Sequence, residues 1–273
     1  MAIANVNGGD LYYEDSGIGD PIIFQHGYTA SHEGWSGVIE RMSTQYRCIA
    51  MDCRGAGDSA HPEDGYTIEQ LATDVVGMAD YHGFDKFHYA GQSMGGLIGF
   101  ELGLSYPDRL LSLSLSAPAP ADGIAFPPDA RAEMRRRWAD KERDLLIRTS
   151  LAGVPRESAH ADVPPQVDRQ LSVSEGHYDG CWEAMVNYHK GDRLGEIQTP
   201  TLLLAGAADS LLTPNLKDFA RLGNATLHVF SRVGHGVPRE VPSAYARVMT
   251  DFLEHGVVNA RTIAKAVAEA ANA

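Results

Sequence analysis

A serine flanked by glycines is the first group in this sequence with clear chemical potential. Ser93 stands in AGQSMGGLIG (90–99), with Gly91 two positions before it and Gly95 two positions after it. The letters KFHYA before this stretch are typical of a strand, and GGLIGFELGL from Gly95 onward is typical of a helix. A serine hydroxyl attacks a carbonyl well only when a base takes its proton. The pattern predicts a nucleophile on a sharp strand-to-helix turn.

The glycines have a mechanical reason in such a turn. Side chains at positions 91 and 95 would collide across the tight backbone, so glycine is required there. The alternative interpretation makes Ser93 an ordinary small residue in a glycine-rich loop. The strand before it and the helix after it favour the nucleophile.

A base and an acid are expected later in the chain, in the order serine, acid, histidine. His235 lies in RVGHGVP, a glycine-flanked turn after the last apolar strand. Asp209 lies in LLLAGAADSLL, three residues after Gly206, where a predicted strand ends. Asp122 in SAPAPADG is an alternative acid after the preceding strand. We favour Asp209 because it is tied to a tight turn at a strand end. The competing interpretations are a turn histidine and a helix-capping aspartate.

The negative charge that develops on an attacked carbonyl oxygen needs two backbone N–H donors. Met94, directly after the serine, is expected to supply one donor. Tyr28 in FQHGYTAS is expected to supply the other, because Gly27 lets the backbone turn tightly. His26 is interpreted as orienting this loop. Asp52 and Arg54 in MDCRGAGDS are interpreted as structural residues that hold the loop after a strand.

The elements that must position these groups alternate between strand and helix. Strands are predicted at 11–15, 21–27, 86–91, 109–118 and 199–206, and also within 46–59 and 225–236, where each strand is followed by a turn. Helical patterns lie between them, for example at 67–84 with Thr67 as N-cap. This alternation predicts a mostly parallel sheet covered by helices on both faces.

Residues 119–197 interrupt the alternation. They contain APAPADGIAFPPDA and then a charged helical stretch, without an evident strand. We therefore predict a core formed by 1–118 and 198–273 and a helical lid formed by 119–197. An insertion on the carboxyl side of a parallel sheet lies above the ligand-binding crevice.

These motifs together resemble the α/β-hydrolase superfamily. HGYTAS, MDCRGAGDS, GQSMGG, YPDRL, LLLAGAADSLLTP and RVGHGVP occur in the order and spacing typical of that family, over about residues 10–255. The resemblance implies a mostly parallel sheet flanked by helices, with a helical cap inserted after the sixth strand. It implies Ser93, Asp209 and His235 as catalytic residues, Tyr28 and Met94 as the oxyanion hole, and no metal or organic cofactor. Ser93 argues against family members that use an aspartate nucleophile.

The charge and cysteine content of the sequence limit the kinds of partner that the protein is expected to bind. The 273 residues carry 36 acidic and 23 basic side chains, a net charge of −13, which argues against nucleic acid and anionic membranes. Three cysteines without a CxxC motif favour neither disulfides nor zinc. No signal peptide or membrane span is evident, so a cytoplasmic location is expected. A homo-oligomer is left open.

The expected reaction is hydrolysis of an ester or lactone of a small, mainly apolar molecule. The resemblance also brings in carbon–carbon bond hydrolases of vinylogous diketones, perhydrolase-like enzymes and hydrolase-fold ligand receptors as alternatives. An aromatic-rich stretch, GHYDGCWEAMVNYH (176–189), packs the lid onto the core or forms a pocket wall. The candidate substrate-pocket residues are Trp35, Phe126, Tyr178, Trp182 and Met185.

Overall fold

Eight strands form one sheet through the centre of the protein in the computed structural model, which describes residues 2–271. The strands are β1 (Ala2–Val6), β2 (Gly9–Ser16), β3 (Pro21–Gln25), β4 (Arg47–Met51), β5 (Phe87–Gln92), β6 (Leu110–Ser116), β7 (Thr201–Gly206) and β8 (Ala225–Phe230). Their order across the sheet is β1-β2-β4-β3-β5-β6-β7-β8. Strands β1 and β2 pair antiparallel, as do β2 and β4, and the remaining pairs are parallel. The predicted mostly parallel sheet is confirmed.

Helices cover both faces of this sheet. The α-helices are α1 (Ser36–Met42), α2 (Ile68–Tyr81), α3 (Met94–Ser105), α4 (Pro128–Ala139), α5 (Arg143–Ala152), α6 (Val163–Ser172), α7 (Cys181–Val186), α8 (Leu212–Arg221), α9 (Val237–Glu240), α10 (Pro242–His255) and α11 (Ala260–Ala271). Short 3₁₀ or π turns lie at His32–Trp35, Pro107–Arg109, Glu157–Asp162, Gly176–Gly180 and Gly191–Glu196. None of the helices within residues 2–271 combines the length and apolar character needed to cross a membrane.

The core has two apolar layers because alternate strand residues point to opposite faces. In β3, Ile23 packs in the layer that contains α2 and α3. Its neighbours Ile22 and Phe24 pack in the layer that contains α1 and α10. Burial on both faces explains why these strands read as continuous apolar runs in the sequence.

The first strand was not predicted from the sequence. Strand β1 forms a hairpin with β2 through Asn7 and Gly8, which have φ angles of 49° and 78°. An Asn-Gly pair favours this two-residue turn because both residues tolerate positive φ. The signal for the hairpin was therefore present in the letters VNGG.

The segment between β6 and β7 contains helices and turns but no strand among its described residues. Its charged stretch forms two helices, α4 and α5, which separate at Lys141, where φ is 54°. Arg136 of α4 pairs with Glu133, Asp140 and Glu142, so it belongs to a surface ion-pair network. Tyr178 and Trp182 join the same apolar layer as α2 and α3, which fixes the insertion to the core.

Candidate active site

Ser93 occupies a strained turn between β5 and α3. Its φ and ψ angles are 56° and −113°, a conformation that L-residues rarely adopt. The backbone is fixed on both sides, because Ser93 N–H donates to Ser116 O at 2.9 Å and Ala119 N–H donates to Ser93 O at 3.0 Å. Surrounding structure thus stabilises a local strain of the kind that clusters at functional sites.

The glycines around the serine have no room for a side chain. A Cβ atom at Gly91 would lie 2.2 Å from the carbonyl oxygen of Gly95. A Cβ atom at Gly95 would lie 2.4 Å from the carbonyl oxygen of Gln25. Both contacts are with backbone, which cannot move away as a flexible side chain can. The spacing of glycine, serine and glycine is therefore a steric requirement of this turn.

His235 and Asp209 form a hydrogen-bonded pair at the carboxyl edge of the sheet. His235 Nδ1 lies 2.8 Å from Asp209 Oδ2. The other carboxylate oxygen, Asp209 Oδ1, accepts the N–H of Leu211 at 3.0 Å. The Asp209 side chain is 2% exposed and that of His235 is 44% exposed. A buried carboxylate at Nδ1 favours the tautomer in which Nε2 is free to accept a proton.

Asp122, the alternative acid, is engaged elsewhere. Its carboxylate binds Arg221 at 2.8 Å and Lys217 at 2.6 Å, and both of these residues belong to α8. The hydrogen bond from Arg221, reinforced by that from Lys217, lowers the pKa of Asp122 to about 2. The aspartate in contact with His235 is Asp209.

The loop after β3 carries the backbone N–H of Tyr28, and α3 begins with the backbone N–H of Met94. Neither group has a hydrogen-bond acceptor among the residues that the structure describes. His26 supports the loop, with Nδ1 2.7 Å from Gly27 O and Nε2 accepting Cys53 N–H at 3.0 Å. Burial lowers the pKa of His26, so the ring is neutral and orients backbone rather than carrying charge.

His177 is a second support that the sequence did not reveal. It lies in the insertion, yet its Nε2 accepts the N–H of Thr29, beside Tyr28, at 3.4 Å. Its Nδ1 lies 2.9 Å from Arg54 O. Burial lowers the pKa of His177 to about 3, so the ring is neutral at ordinary pH. The insertion and the loop after β3 are thus joined by a neutral histidine.

Asp52 and Arg54 have structural partners. Asp52 accepts the backbone N–H of His32 at 2.6 Å and lies 2.9 Å from His32 Nδ1. Arg54 donates twice to Asp74, at 2.7 Å each. His32, Asp52 and Asp58 have side-chain atoms within 4.8 Å of one another, but Asp52 also accepts the N–H of Asp58. These hydrogen bonds use the carboxylate oxygens of Asp52 and hold the loop after β4 in place.

Ser93, His235 and Tyr28 line one cavity of about 440 Å³, a size that accommodates a small organic molecule. Trp35, one of the candidate pocket residues, is also among the residues that line it. Charged and polar side chains complete the wall; they are Glu33, Asp162, Gln166, Arg169 and Arg239. Asp162, Gln166 and Arg169 come from the insertion, at or near the helical spacing that puts residues on one face of α6.

Four predicted pocket residues lie outside this cavity. Tyr178 stacks on Trp138 with 4.2 Å between ring centroids, and Trp182 packs on Tyr28 and Phe126. Met185 is 2% exposed within the core, and Phe126 is 44% exposed. The lining of this cavity does not include these four predicted residues, and Tyr178, Trp182 and Met185 instead pack in the apolar layer that joins the insertion to the core.

Ion pairs connect the cavity wall to the core. Arg169 of α6 binds Glu33 at 2.7 Å and Asp58 at 3.0 Å. The hydrogen bond from Arg169 lowers the pKa of Glu33, which keeps that carboxylate ionised. Both acids follow strands of the sheet, so these pairs fasten α6 across the carboxyl edge.

The fold places Ser93 and His235 after parallel strands, and residues of the helical insertion line the same cavity. This arrangement defines the class of enzyme. Residues 20–238 match the family described as alpha/beta hydrolase fold. The chain belongs to this alpha/beta hydrolase family. It is a hydrolase that acts on small molecules, as the resemblance implied.

Several relatives align over nearly the whole chain. A protein of Azorhizobium caulinodans named as carbamate hydrolase RutD is 29% identical over 268 residues, covering 92% of this chain and 98% of that protein. The 2-hydroxy-6-oxononadienedioate/2-hydroxy-6-oxononatrienedioate hydrolase of Paraburkholderia xenovorans is 28% identical, covering 90% and 91%. The structure of Est816, described as an N-acyl homoserine lactone degrading enzyme, has a TM-score of 0.79 and 25% identity, covering 92% and 100%.

Proposed function

We propose that this protein is a serine hydrolase that cleaves an ester or lactone through an acyl-enzyme, with Ser93, Asp209 and His235 as its catalytic residues. The observation that carries the proposal is the Asp209–His235 pair, which opens onto the cavity that Ser93 also lines. We also propose that residues 119–197 act as the cap of a core formed by 1–118 and 198–273.

The first half of the reaction builds the acyl-enzyme. Ser93 Oγ bonds to the carbonyl carbon while its proton moves to His235 Nε2, and Asp209 stabilises the imidazolium that forms. Within the described residues Ser93 Oγ makes no hydrogen bond to His235, and such bonds often tighten only when substrate is bound. The backbone N–H groups of Tyr28 and Met94 bind the oxyanion.

The second half releases the products. The imidazolium of His235 protonates the departing alcohol oxygen as the carbon–oxygen bond breaks. Water then gives a proton to the same imidazole and attacks the acyl carbon, and collapse of the second tetrahedral intermediate frees Ser93 and a carboxylic acid. No step needs electrons from another molecule, because hydrolysis leaves every oxidation state unchanged.

A lactone or ester substrate is supported by the relative Est816, which degrades acyl homoserine lactones. A second candidate reaction is carbon–carbon bond hydrolysis of a 2-hydroxy-6-oxo dienoate. It is supported by the Paraburkholderia xenovorans relative, which acts on such compounds. Both reactions use a carbonyl, a histidine and an activated water, so the two candidates share the same site.

The net charge supports a proposal about binding partners, and the cysteines support one about the cellular compartment. The net charge of −13 supports a small-molecule enzyme that binds neither nucleic acid nor an anionic membrane. The three cysteines are buried and free of disulfides, which supports a reducing compartment such as the cytoplasm.

A panel of esters and lactones of graded acyl length, run beside a 2-hydroxy-6-oxo dienoate, tests the proposed reaction. We expect turnover of the esters or lactones and labelling of Ser93 by a serine-directed phosphonate. Ser93→Ala should lower kcat by about 1,000-fold or more. Ser105→Ala, at the far end of the same helix, is the matched control. Labelling at another serine would refute the mechanism, and turnover of the dienoate alone would select the second reaction.

A further inference from the structure

Arg239 stands out among the charged residues of the cavity. It belongs to α9, four residues after His235, and it lines the same cavity as Ser93. A Cβ atom at Gly236 would lie 3.0 Å from Arg239 Nη2, so the guanidinium lies against the turn that carries His235. Arg239 Nη1 donates a hydrogen bond to Gln166 Oε1 of α6, which holds the side chain toward the insertion.

Among the described residues, the guanidinium of Arg239 has no carboxylate partner. Within residues 2–271 no Asp or Glu oxygen lies within 4.0 Å of Arg239, whereas Arg169, in the same wall, binds two carboxylates. Glu240, the next residue, uses both carboxylate oxygens to accept the N–H of Gly234, at 3.0 Å each. Asp162 is exposed beside the cavity and forms no ion pair with Arg239.

The charge of Arg239 is therefore desolvated without a compensating ion pair. Burial lowers the pKa of Arg239, and the charges of Asp162 and Glu240 only oppose that effect from a distance. A partly buried cation without an adjacent anion carries a desolvation cost that an anionic ligand offsets on binding. A planar guanidinium suits a carboxylate in particular, because two parallel N–H donors match its two oxygens.

We infer that Arg239 binds a carboxylate of the substrate, so that the substrate is an ester or lactone that also carries a carboxylate group. This inference rests on the proposed function and specifies its substrate class. One guanidinium balances one negative charge. Glu33 and Asp162 in the same wall repel a dianion, so a carboxylate fits this cavity better than a phosphate monoester.

Two isosteric esters separate the carboxylate effect from the hydrolytic reaction. The probes are 4-acetoxybenzoate, which is anionic, and 4-acetoxybenzamide, which is neutral and nearly the same shape. We expect the ratio of kcat/KM for the anionic over the neutral ester to fall by about 10- to 100-fold in Arg239→Gln, the usual effect of losing a hydrogen-bonded charge pair. Arg193→Gln is the matched control, because Arg193 pairs with the exposed Glu196 on the surface.

An unchanged ratio in Arg239→Gln, or equal losses on the two esters, would overturn the inference. Arg239→Lys serves as a second variant, since it keeps the charge and removes the paired donors; we expect an intermediate ratio. If neither variant folds, the wild-type protein decides: a higher kcat/KM for the anionic ester supports the inference, and an equal or lower value overturns it. Loss of the proposed function itself would show differently, as turnover of neither ester or as turnover that survives Ser93→Ala.

Discussion

The imidazole of His235 reaches across the edge of the sheet to Asp209, with 2.8 Å between Nδ1 and Oδ2. The two residues follow adjacent parallel strands, β7 and β8, so the sheet itself sets their separation. The loops of both strands are joined by a further bond, since Ala208 N–H donates to Val233 O at 2.9 Å. The pair is therefore held by backbone on both sides.

Replacing the acid tests the role of this pair. Asp209→Asn keeps the shape but presents an amide to Nδ1, which favours the wrong imidazole tautomer. We expect kcat for an ester substrate to fall by about 100- to 10,000-fold with little change in folding. Asp122→Asn is the matched control, because Asp122 binds Lys217 and Arg221 instead. If Asp122→Asn is the variant that loses turnover, the assignment of the acid is wrong.

A second prediction concerns the turn at Ser93. Gly91→Ala places a methyl group 2.2 Å from the carbonyl oxygen of Gly95. We expect a loss in the free energy of unfolding of about 2 kcal/mol or more, since overpacking against backbone is costly. Urea denaturation measures it. Gly223→Ala, with its nearest neighbour atom 4.0 Å away, should stay within about 0.5 kcal/mol of wild type. Equal stability of the two variants would contradict the steric argument.

The neutral histidine between insertion and core gives a pH prediction. Burial lowers the pKa of His177 to about 3 in the folded protein, while the unfolded value is 6.5. Below the unfolded value the unfolded chain binds a proton that the folded chain does not, so this residue destabilises the fold as pH falls. Relative to His177→Gln, we expect wild type to lose about 2 kcal/mol of unfolding free energy between pH 7.5 and pH 5.

Denaturant unfolding at several pH values measures this difference. Above pH 7.5 the histidine is neutral in both states, so the gap between wild type and variant should be constant there. A gap that is also constant down to pH 5 would show that His177 titrates normally in the folded protein.

The ion pairs of Arg169 predict a change in substrate binding rather than in stability. Because these pairs are partly exposed, Arg169→Gln should cost less than about 1 kcal/mol of unfolding free energy. It removes the contacts that fasten α6 over the cavity, so we expect KM to rise about 3- to 10-fold with kcat nearly unchanged. Faster proteolysis within residues 119–197 should accompany the change. A fall in kcat at constant KM would contradict this role.

The sequence predicted the turn at Ser93 and the Asp209–His235 pair better than it predicted the residues that line the cavity. Ser93, Asp209 and His235 follow strands whose apolar runs are long and continuous, and turns at strand ends are local features. The glycines at 91 and 95 report the steric demand of the turn directly. Such signals depend on a few neighbouring letters, which is why they can be interpreted without a structure.

The cavity wall could not be predicted in this way. Arg239 resembles any surface arginine in the sequence, and its surroundings depend on how α6 crosses the sheet. The aromatic residues Tyr178 and Trp182 suggested a pocket, but long-range packing uses them to attach the insertion. Those choices depend on contacts between distant segments, which hydrophobic periodicity does not encode.

Two kinds of element line the cavity, since turns after strands carry Ser93 and His235 and α6 carries much of the polar wall. Part of the wall is therefore carried by a helix that holds none of Ser93, Asp209 and His235. We expect substitutions on the cavity side of α6 to alter the shape and charge of the wall while the turns after the strands keep their geometry.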